Sequence, residues 1–213
     1  MAKPQVFVVK GSTPWYNHNW KDVSHVISID ESIPGQATIT CDGNVTSMKY
    51  MFWQCPDITS IDLSRFNTSE VNDMGSIFRE CSSLMSLDLS NFDTSNVANM
   101  SEMFEYCSSI TSLNLSNFNT SNVRDMSYMF YECSKLTELD LSNFDTSNVR
   151  DMRYMFYNCP NLTTIKGVID MKSCNWYRNM FGKCPNLKDV KIKNPPYNFY
   201  GGGLSKSQYT VVS

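Results

Sequence analysis

The sequence lacks the features of membrane insertion, export and nucleic-acid binding. It has no run of about 18 apolar residues, which a membrane-spanning helix requires, and its first residues, MAKPQVFVVKG, lack the apolar core of a secretory signal. Neither sign of charge dominates, since 18 Lys and Arg accompany 21 Asp and Glu for a net charge of -3. Nucleic acid and anionic membranes are therefore not expected partners. We expect a chain made without export, or displayed at the cell surface if a signal has been removed.

The chain also lacks recognisable catalytic and cofactor motifs. It contains no nucleophile elbow, phosphate loop or His-Glu-x-x-His sequence. Only His18 and His25 could supply imidazole, and no Cys-x-x-Cys is present, so we expect no zinc site. An acidic row, Asp62, Asp88 and Asp140, could hold a hard cation but is better explained as solvated surface. We therefore predict a non-enzyme with no catalytic residue, metal or cofactor.

Cysteine, by contrast, is plentiful and periodic. The chain has eight cysteines. Six of them recur every 26 residues, or 25 at the last step: Cys55, Cys81, Cys107, Cys133, Cys159 and Cys184. Small apolar thiols at one register suit a stacked interior, so we predict buried free thiols. Disulfides between adjacent repeats remain an alternative, because stacked cysteines could approach bonding distance.

The first half of each repeat has the pattern of a short strand. Leu84, Leu87 and Leu89 are separated by polar residues, among them Ser86 and Asp88. Because successive side chains of a strand point to opposite faces, the leucines are predicted to face the core and the polar residues the solvent.

The second half of each repeat changes period. Its apolar residues have helical spacing: Val97, Met100, Met103 and Phe104. They predict one face of a short helix, whose first N–H groups Thr94 or Ser95 could cap. The methionines of this face are predicted to fill the core rather than to form a soft-metal or binding surface. Each repeat is thus predicted to be strand, turn and helix.

These units predict an α/β fold, a leucine-rich-repeat-like solenoid with a parallel sheet and short helices in about six repeats. A single unit buries too little apolar surface to fold alone, so the repeats must stack. Residues 45–192 form the predicted solenoid. Residues 1–44, which contain VFVV, VISID and ATIT, are the predicted amino-terminal cap, and residues 193–213 the carboxy-terminal cap or tail.

The repeated words LSNFDTSNV, MFxxC and SLxxLDLS closely resemble the bacterial surface protein 26-residue repeat family, which is related to the BspA-like leucine-rich repeats. The resemblance covers roughly residues 45–192. It implies a leucine-rich-repeat-like solenoid with a binding or adhesion role, commonly on bacterial surfaces. Similar repeats also resemble those of some phage structural proteins.

The outer positions of the predicted helices are where the repeats differ. Aromatic and basic residues collect there: Tyr128, Tyr131, Tyr154 and Tyr157, with Arg124, Arg150 and Arg153 nearby and Tyr50 and Trp53 near the other end. Exposed tyrosines suit partner contacts because a large apolar ring carries a hydrogen-bonding hydroxyl. A partner-binding patch and simple partial burial both fit this pattern.

These observations predict a non-enzymatic recognition or adhesion module for protein or glycan at a bacterial or viral surface. The alternative is a structural phage virion protein, such as a head decoration or tail component attached to other virion subunits.

Overall fold

The computed structural model describes residues 4–11, 26–43 and 45–213. These residues form strands and turns. The strands are β1 (Gln5–Gly11), β2 (Val26–Asp30), β3 (Gln36–Cys41), β4 (Ile58–Asp62), β5 (Glu138–Asp140), β6 (Thr164–Lys166), β7 (Val168–Asp170), β8 (Val190–Lys193) and β9 (Tyr209–Val212). A 3-10 turn spans Gly201–Gly203. No α-helix occurs in these three ranges, and none of their residues forms a helix able to cross a membrane.

The amino-terminal strands form an antiparallel sheet with the first repeat, in the order β2-β3-β1-β4. Alternate side chains face the core, so Phe7 lies opposite the equally buried Ile39. The register of β1 against β4 shifts at Gly11, where an added Cβ would lie 2.1 Å from the carbonyl oxygen of Asp57. Only glycine permits that approach. VFVV, VISID and ATIT lie in β1, β2 and β3, whereas His18 and His25 lie outside the described residues.

The segments predicted as short helices are overlapping reverse turns. In the third repeat the N–H of Glu105 donates to the carbonyl of Glu102 at 3.1 Å, and that of Cys107 donates to Phe104 at 3.0 Å. Glu102 and Tyr106 have φ of 59° and 58°, a left-handed conformation that an α-helix excludes. Reverse turns and helices both bring residues three apart together, so the spacing of apolar residues fits either.

Adjacent repeats are joined through these turns. Every second N–H of one segment donates to a carbonyl of the next repeat, as Glu102 does to Ser127 and Phe104 to Met129, at 2.8 and 2.9 Å. We call the six hydrogen-bonded segments the turn ribbon: residues 48–55, 74–81, 100–107, 126–133, 152–159 and 177–184. Non-local hydrogen bonds thus satisfy the backbone that a helix would have satisfied locally.

The predicted continuous parallel sheet is also wrong. The only parallel pairs in the described part of the chain are β5 with β6 and the small sheet β7-β8-β9, besides single-residue bridges between repeats. Five of these bridges join one position of every repeat, which we call the bridge row: Ser47, Asp73, Asn99, Asp125, Asp151 and Trp176. Because the described residues form turns in place of the helices and small sheets in place of a continuous one, they do not form the predicted α/β leucine-rich-repeat-like solenoid.

Polar side chains form hydrogen bonds with backbone groups that would pair with a neighbouring strand in a longer sheet. The amide of Asn117 donates to the carbonyls of Leu89 and Phe92 in the preceding repeat, at 2.9 and 2.7 Å. The hydroxyl of Thr94, predicted to cap a helix, instead donates to the carbonyl of Asn119 at 3.0 Å and accepts from its N–H at 2.8 Å. The words NF, DT and SN therefore repeat because they bind one repeat to the next.

The interior confirms the predicted apolar faces. Leu84 and Leu89 are buried and Leu87 is partly buried against the core, while Ser86 and Asp88 are exposed. The six register phenylalanines form one row with ring centroids 5.3–5.7 Å apart and nearly parallel planes: Phe52, Phe78, Phe104, Phe130, Phe156 and Phe181. Each shared position thus meets its own copy in the next repeat.

The free, buried thiols are likewise confirmed. The Sγ of Cys107 donates to the carbonyl of Phe78, and that of Cys133 to Phe104, both at 3.1 Å. Burial raises the pKa of both thiols well above the ordinary value. These cysteines therefore act as hydrogen-bonded core residues rather than as reactive groups.

The carboxy-terminal residues continue the hydrogen bonding between repeats. The N–H of Phe181 donates to Gly202 at 2.8 Å, and β9 runs parallel to β8. The ring of Phe199 lies 5.5 Å from Tyr177 and 5.6 Å from Tyr209. This tail therefore packs against the last segment of the turn ribbon.

Candidate recognition surface

Three positions of each turn segment carry the side chains that vary between repeats. The first outer position holds Tyr50, Ser76, Glu102, Tyr128, Tyr154 and Asn179. The second holds Trp53, Arg79, Glu105, Tyr131, Tyr157 and Gly182. The third holds Gln54, Glu80, Tyr106, Glu132, Asn158 and Lys183. All first and third positions have positive φ, so one backbone geometry presents very different side chains.

Five tyrosines of the third to fifth segments form one tyrosine cluster: Tyr106, Tyr128, Tyr131, Tyr154 and Tyr157. The rings of Tyr128 and Tyr154 are stacked at 5.0 Å, and those of Tyr131 and Tyr157 at 5.3 Å. Tyr106 meets Tyr131 edge to face at 5.3 Å. Stacking of neighbouring repeats thus creates a continuous aromatic surface.

The tyrosine cluster is partly covered by its own rings. Tyr106 is 40% exposed, and the other four are half-buried. Desolvation, followed by the neighbouring Tyr106, raises the pKa of Tyr131 to about 12. Its hydroxyl therefore remains protonated near neutral pH and can donate a hydrogen bond. Tyr157 lies so close to Gly182 that a Cβ there would meet the ring at 2.7 Å.

The predicted arginines occupy different surroundings. Arg153 is fixed by a fork of hydrogen bonds to Asp151, with Nη2 and Oδ2 2.6 Å apart. Desolvation raises the pKa of Tyr128, and the charge of Arg153 opposes that rise. Arg124 is exposed and donates to the carbonyl of Asn122 at 3.0 Å. Arg150 is also exposed and precedes the bridge row. Only Arg153 is thus placed beside the tyrosine cluster by these contacts.

Tyr50 and Trp53 form a separate aromatic pair, with ring centroids 5.5 Å apart. They lie on the first segment of the turn ribbon, three repeats from Tyr128. The indole N–H of Trp53 is 3.4 Å from a carboxylate oxygen of Glu80, and Arg79 lies over its ring. The structure therefore does not bring this pair into the tyrosine cluster.

Between the two aromatic regions lies the Arg79 cluster, formed by Arg79, Glu80, Glu102 and Glu105. Nη1 of Arg79 is 2.6 Å from Glu102, and its Nε is 2.9 Å from Oε2 of the buried Glu105. That N–H is not directed at the oxygen, and neither atom has a hydrogen-bond partner among the described residues. Burial, opposed by Arg79, raises the pKa of Glu105 to about 7.

The acidic row has a structural role. The carboxylate of Asp88 accepts from the N–H of Ser90 at 2.9 Å, and Asp140 does the same for Ser142 at 3.0 Å. These hydrogen bonds lower the pKa of each aspartate. Among the residues that the structure describes, no group of three or more His, Cys, Asp or Glu side chains could hold a metal ion.

Residues 40–114 and 85–194 match the family model described as "Mycoplasma protein of unknown function, DUF285". The matched ranges cover more than half of the chain and contain the whole turn ribbon. The chain belongs to this family. No curated protein and no solved structure matches it.

The structure of this DUF285 protein adds two aromatic residues to those expected from the sequence. Tyr106 joins the tyrosine cluster although its equivalents are Glu80 and Glu132. Trp176 is 53% exposed and interrupts the otherwise polar bridge row. A signal for Trp176 exists in the sequence, where VRDM of the fifth repeat becomes CNWY in the sixth.

Proposed function

We propose that this DUF285 protein is a non-enzymatic recognition or adhesion module, related to the BspA-like repeat proteins, that binds a protein or glycan at a bacterial surface. The tyrosine cluster is its contact surface. Five adjoining tyrosines supply both apolar area and hydrogen-bonding hydroxyls, the combination typical of contact residues that dominate binding energy.

The turn ribbon itself does not require tyrosine. The first outer position accepts Ser76, Glu102 and Asn179 with φ between 51° and 59°, and the second accepts Arg79 and Gly182. Because the same backbone forms with these residues, the tyrosines of two adjacent repeats are not needed for stacking. This substitution pattern within the chain carries the proposal. The virion alternative gains no support from a match to Mycoplasma proteins.

Binding of the labelled chain to intact Mycoplasma cells and to immobilised glycoprotein tests the proposal. We expect saturable binding to at least one of these surfaces. Replacing Tyr131→Ala together with Tyr157→Ala should weaken it by about 2 kcal/mol, roughly 30-fold in Kd, because contact aromatics cost this much when truncated.

The matched control is Asp88→Ala with Asp140→Ala. It removes two exposed side chains in the first half of the repeat, outside the turn ribbon. This pair should leave the affinity within about twofold, as expected for residues outside an interface. If the aspartate variant loses binding while the tyrosine variant retains it, the binding site lies outside the tyrosine cluster.

A further inference from the structure

Trp176 breaks the most regular polar feature of the repeats. At the preceding bridge-row positions a polar side chain accepts a hydrogen bond from the N–H two residues later, as Asp125 does from Ser127 at 2.9 Å. Tryptophan has no acceptor, so the N–H of Arg178 loses this partner. The large ring nevertheless remains 53% exposed. Departure from a structural rule without burial in return is typical of a functional position.

Trp176 lies in a groove between the last turn segment and the carboxy-terminal tail. The groove is open to solvent and has a volume of about 780 Å³. The hydroxyl of Tyr177 joins its two walls by donating to Oδ1 of Asn198 at 2.9 Å, and Phe199 packs on Tyr177. Tyr200, which is 86% exposed, stands on the tail side. The guanidinium of Arg153 lies over the Trp176 ring, 5.9 Å from its centroid, so only the opposite face of the indole can meet a ligand.

The lining of this carboxy-terminal groove is positively charged. It includes Arg153 and Arg178 and no Asp or Glu. Asp151 already binds Arg153, whereas Arg178 is exposed and makes no ion pair within the described ranges. A free guanidinium beside an exposed indole favours a ligand that carries a carboxylate.

The remaining polar groups and the exposed rings of the groove suit a saccharide. Asn175, Asn179 and Asn198 line the groove with side-chain amides, which both donate and accept hydrogen bonds. Sugar hydroxyls also donate and accept, so these amides can bind them. The flat faces of Trp176 and Tyr200 suit the apolar C–H faces of sugar rings.

We infer that the carboxy-terminal groove binds an acidic saccharide, with Trp176 as the stacking platform and Arg178 as the ligand of its carboxylate. This site extends the proposed recognition function but depends on side chains outside the tyrosine cluster. The two proposals can therefore fail separately.

Calorimetric titration of the full chain with oligogalacturonate tests the inference. The acidic oligosaccharide should bind, and its neutral methyl ester should bind about tenfold more weakly because Arg178 loses its ionic partner. Trp176→Asn should reduce the affinity for oligogalacturonate by at least about tenfold. This variant restores the residue type found at Asn99, so the midpoint of thermal unfolding should not fall.

The controls separate the groove from the rest of the surface. Arg178→Gln should reduce affinity for the acid but not for the ester, and Tyr197→Ala, an exposed tyrosine outside the groove lining, should change neither. Tyr131→Ala with Tyr157→Ala should leave oligogalacturonate binding intact even if it abolishes cell binding.

Three results would overturn the inference: no binding of oligogalacturonate, equal binding of acid and ester, or full affinity in Trp176→Asn. Tighter binding of a glutamate-rich peptide than of the oligosaccharide would assign the groove to protein instead.

Discussion

The two halves of the turn ribbon display opposite chemistries on one backbone. At the second outer position Arg79 and Glu105 precede Tyr131 and Tyr157, and the interior phenylalanine row runs unchanged beneath both pairs. The Arg79 cluster is ionic and contains a carboxylate that burial disfavours, whereas the tyrosine cluster is neutral and stacked. The difference shows that the interior and the hydrogen bonds between repeats specify the fold, while the outer positions remain available for function.

The largest expected effect tests whether the interior is uniform. Phe78→Ala beneath the Arg79 cluster and Phe156→Ala beneath the tyrosine cluster should each lower the free energy of unfolding by about 3–5 kcal/mol, because both side chains are fully buried. Urea denaturation measures both values. A difference of more than about 2 kcal/mol between them would mean that the two halves do not share one interior.

Arg79→Ala should destabilise the protein by removing the cation of the Arg79 cluster. It leaves Glu80, Glu102 and Glu105 without their shared cation, so we expect a loss of about 3 kcal/mol at pH 8. The loss should be smaller at pH 5, where Glu105 is protonated. Urea denaturation of the variant at both pH values checks this, and an equal loss at pH 5 and pH 8 would contradict the assigned repulsion.

Glu105→Gln tests how ionisation of the buried Glu105 carboxyl affects stability. Its pKa rises from 4.5 to about 7 on folding, so protonation stabilises the folded state fully below pH 4.5, and this contribution is lost as the pH rises through 7. Allowing for the partly exposed surroundings, the wild type should lose about 2 kcal/mol across this interval. The glutamine variant should lack this slope in urea denaturation series. Parallel pH profiles for the two proteins would exclude Glu105 as the source.

The sequence predicted the period, the buried registers and the free thiols, because these depend on residues that recur at fixed spacing. It failed to distinguish turns from helices. Val97, Met100 and Met103 are three residues apart, which suits both, and no glycine marks the positive φ of Glu102 and Tyr106. The hydrogen bonds that maintain these turns come from the next repeat, so no local pattern reveals them.

The sequence predicted some residues of the candidate sites and missed others, for a related reason. The four tyrosines at equivalent positions of adjacent repeats could be found because equivalent positions stack. Tyr106 was missed because its neighbour in space, Tyr131, occupies a different position of the next repeat. The groove at Trp176 was missed because its second wall comes from the aperiodic tail around Asn198 and Tyr200.

The smallest expected effect on stability belongs to the tyrosine cluster. Tyr131→Ala with Tyr157→Ala should lower the free energy of unfolding by about 1–2 kcal/mol, since the rings are only half-buried and their stacking adds about 0.5–1.5 kcal/mol. The loss should be the same at pH 5 and pH 8, because the pKa of Tyr131, about 12, lies far above this interval. Urea denaturation checks both points, with the fully exposed Tyr197→Ala as control. A loss close to that of Phe156→Ala would place these rings in the core and favour partial burial. A small, pH-independent loss would instead leave Tyr131 and Tyr157 on a surface that does not need them for folding, as a contact surface requires.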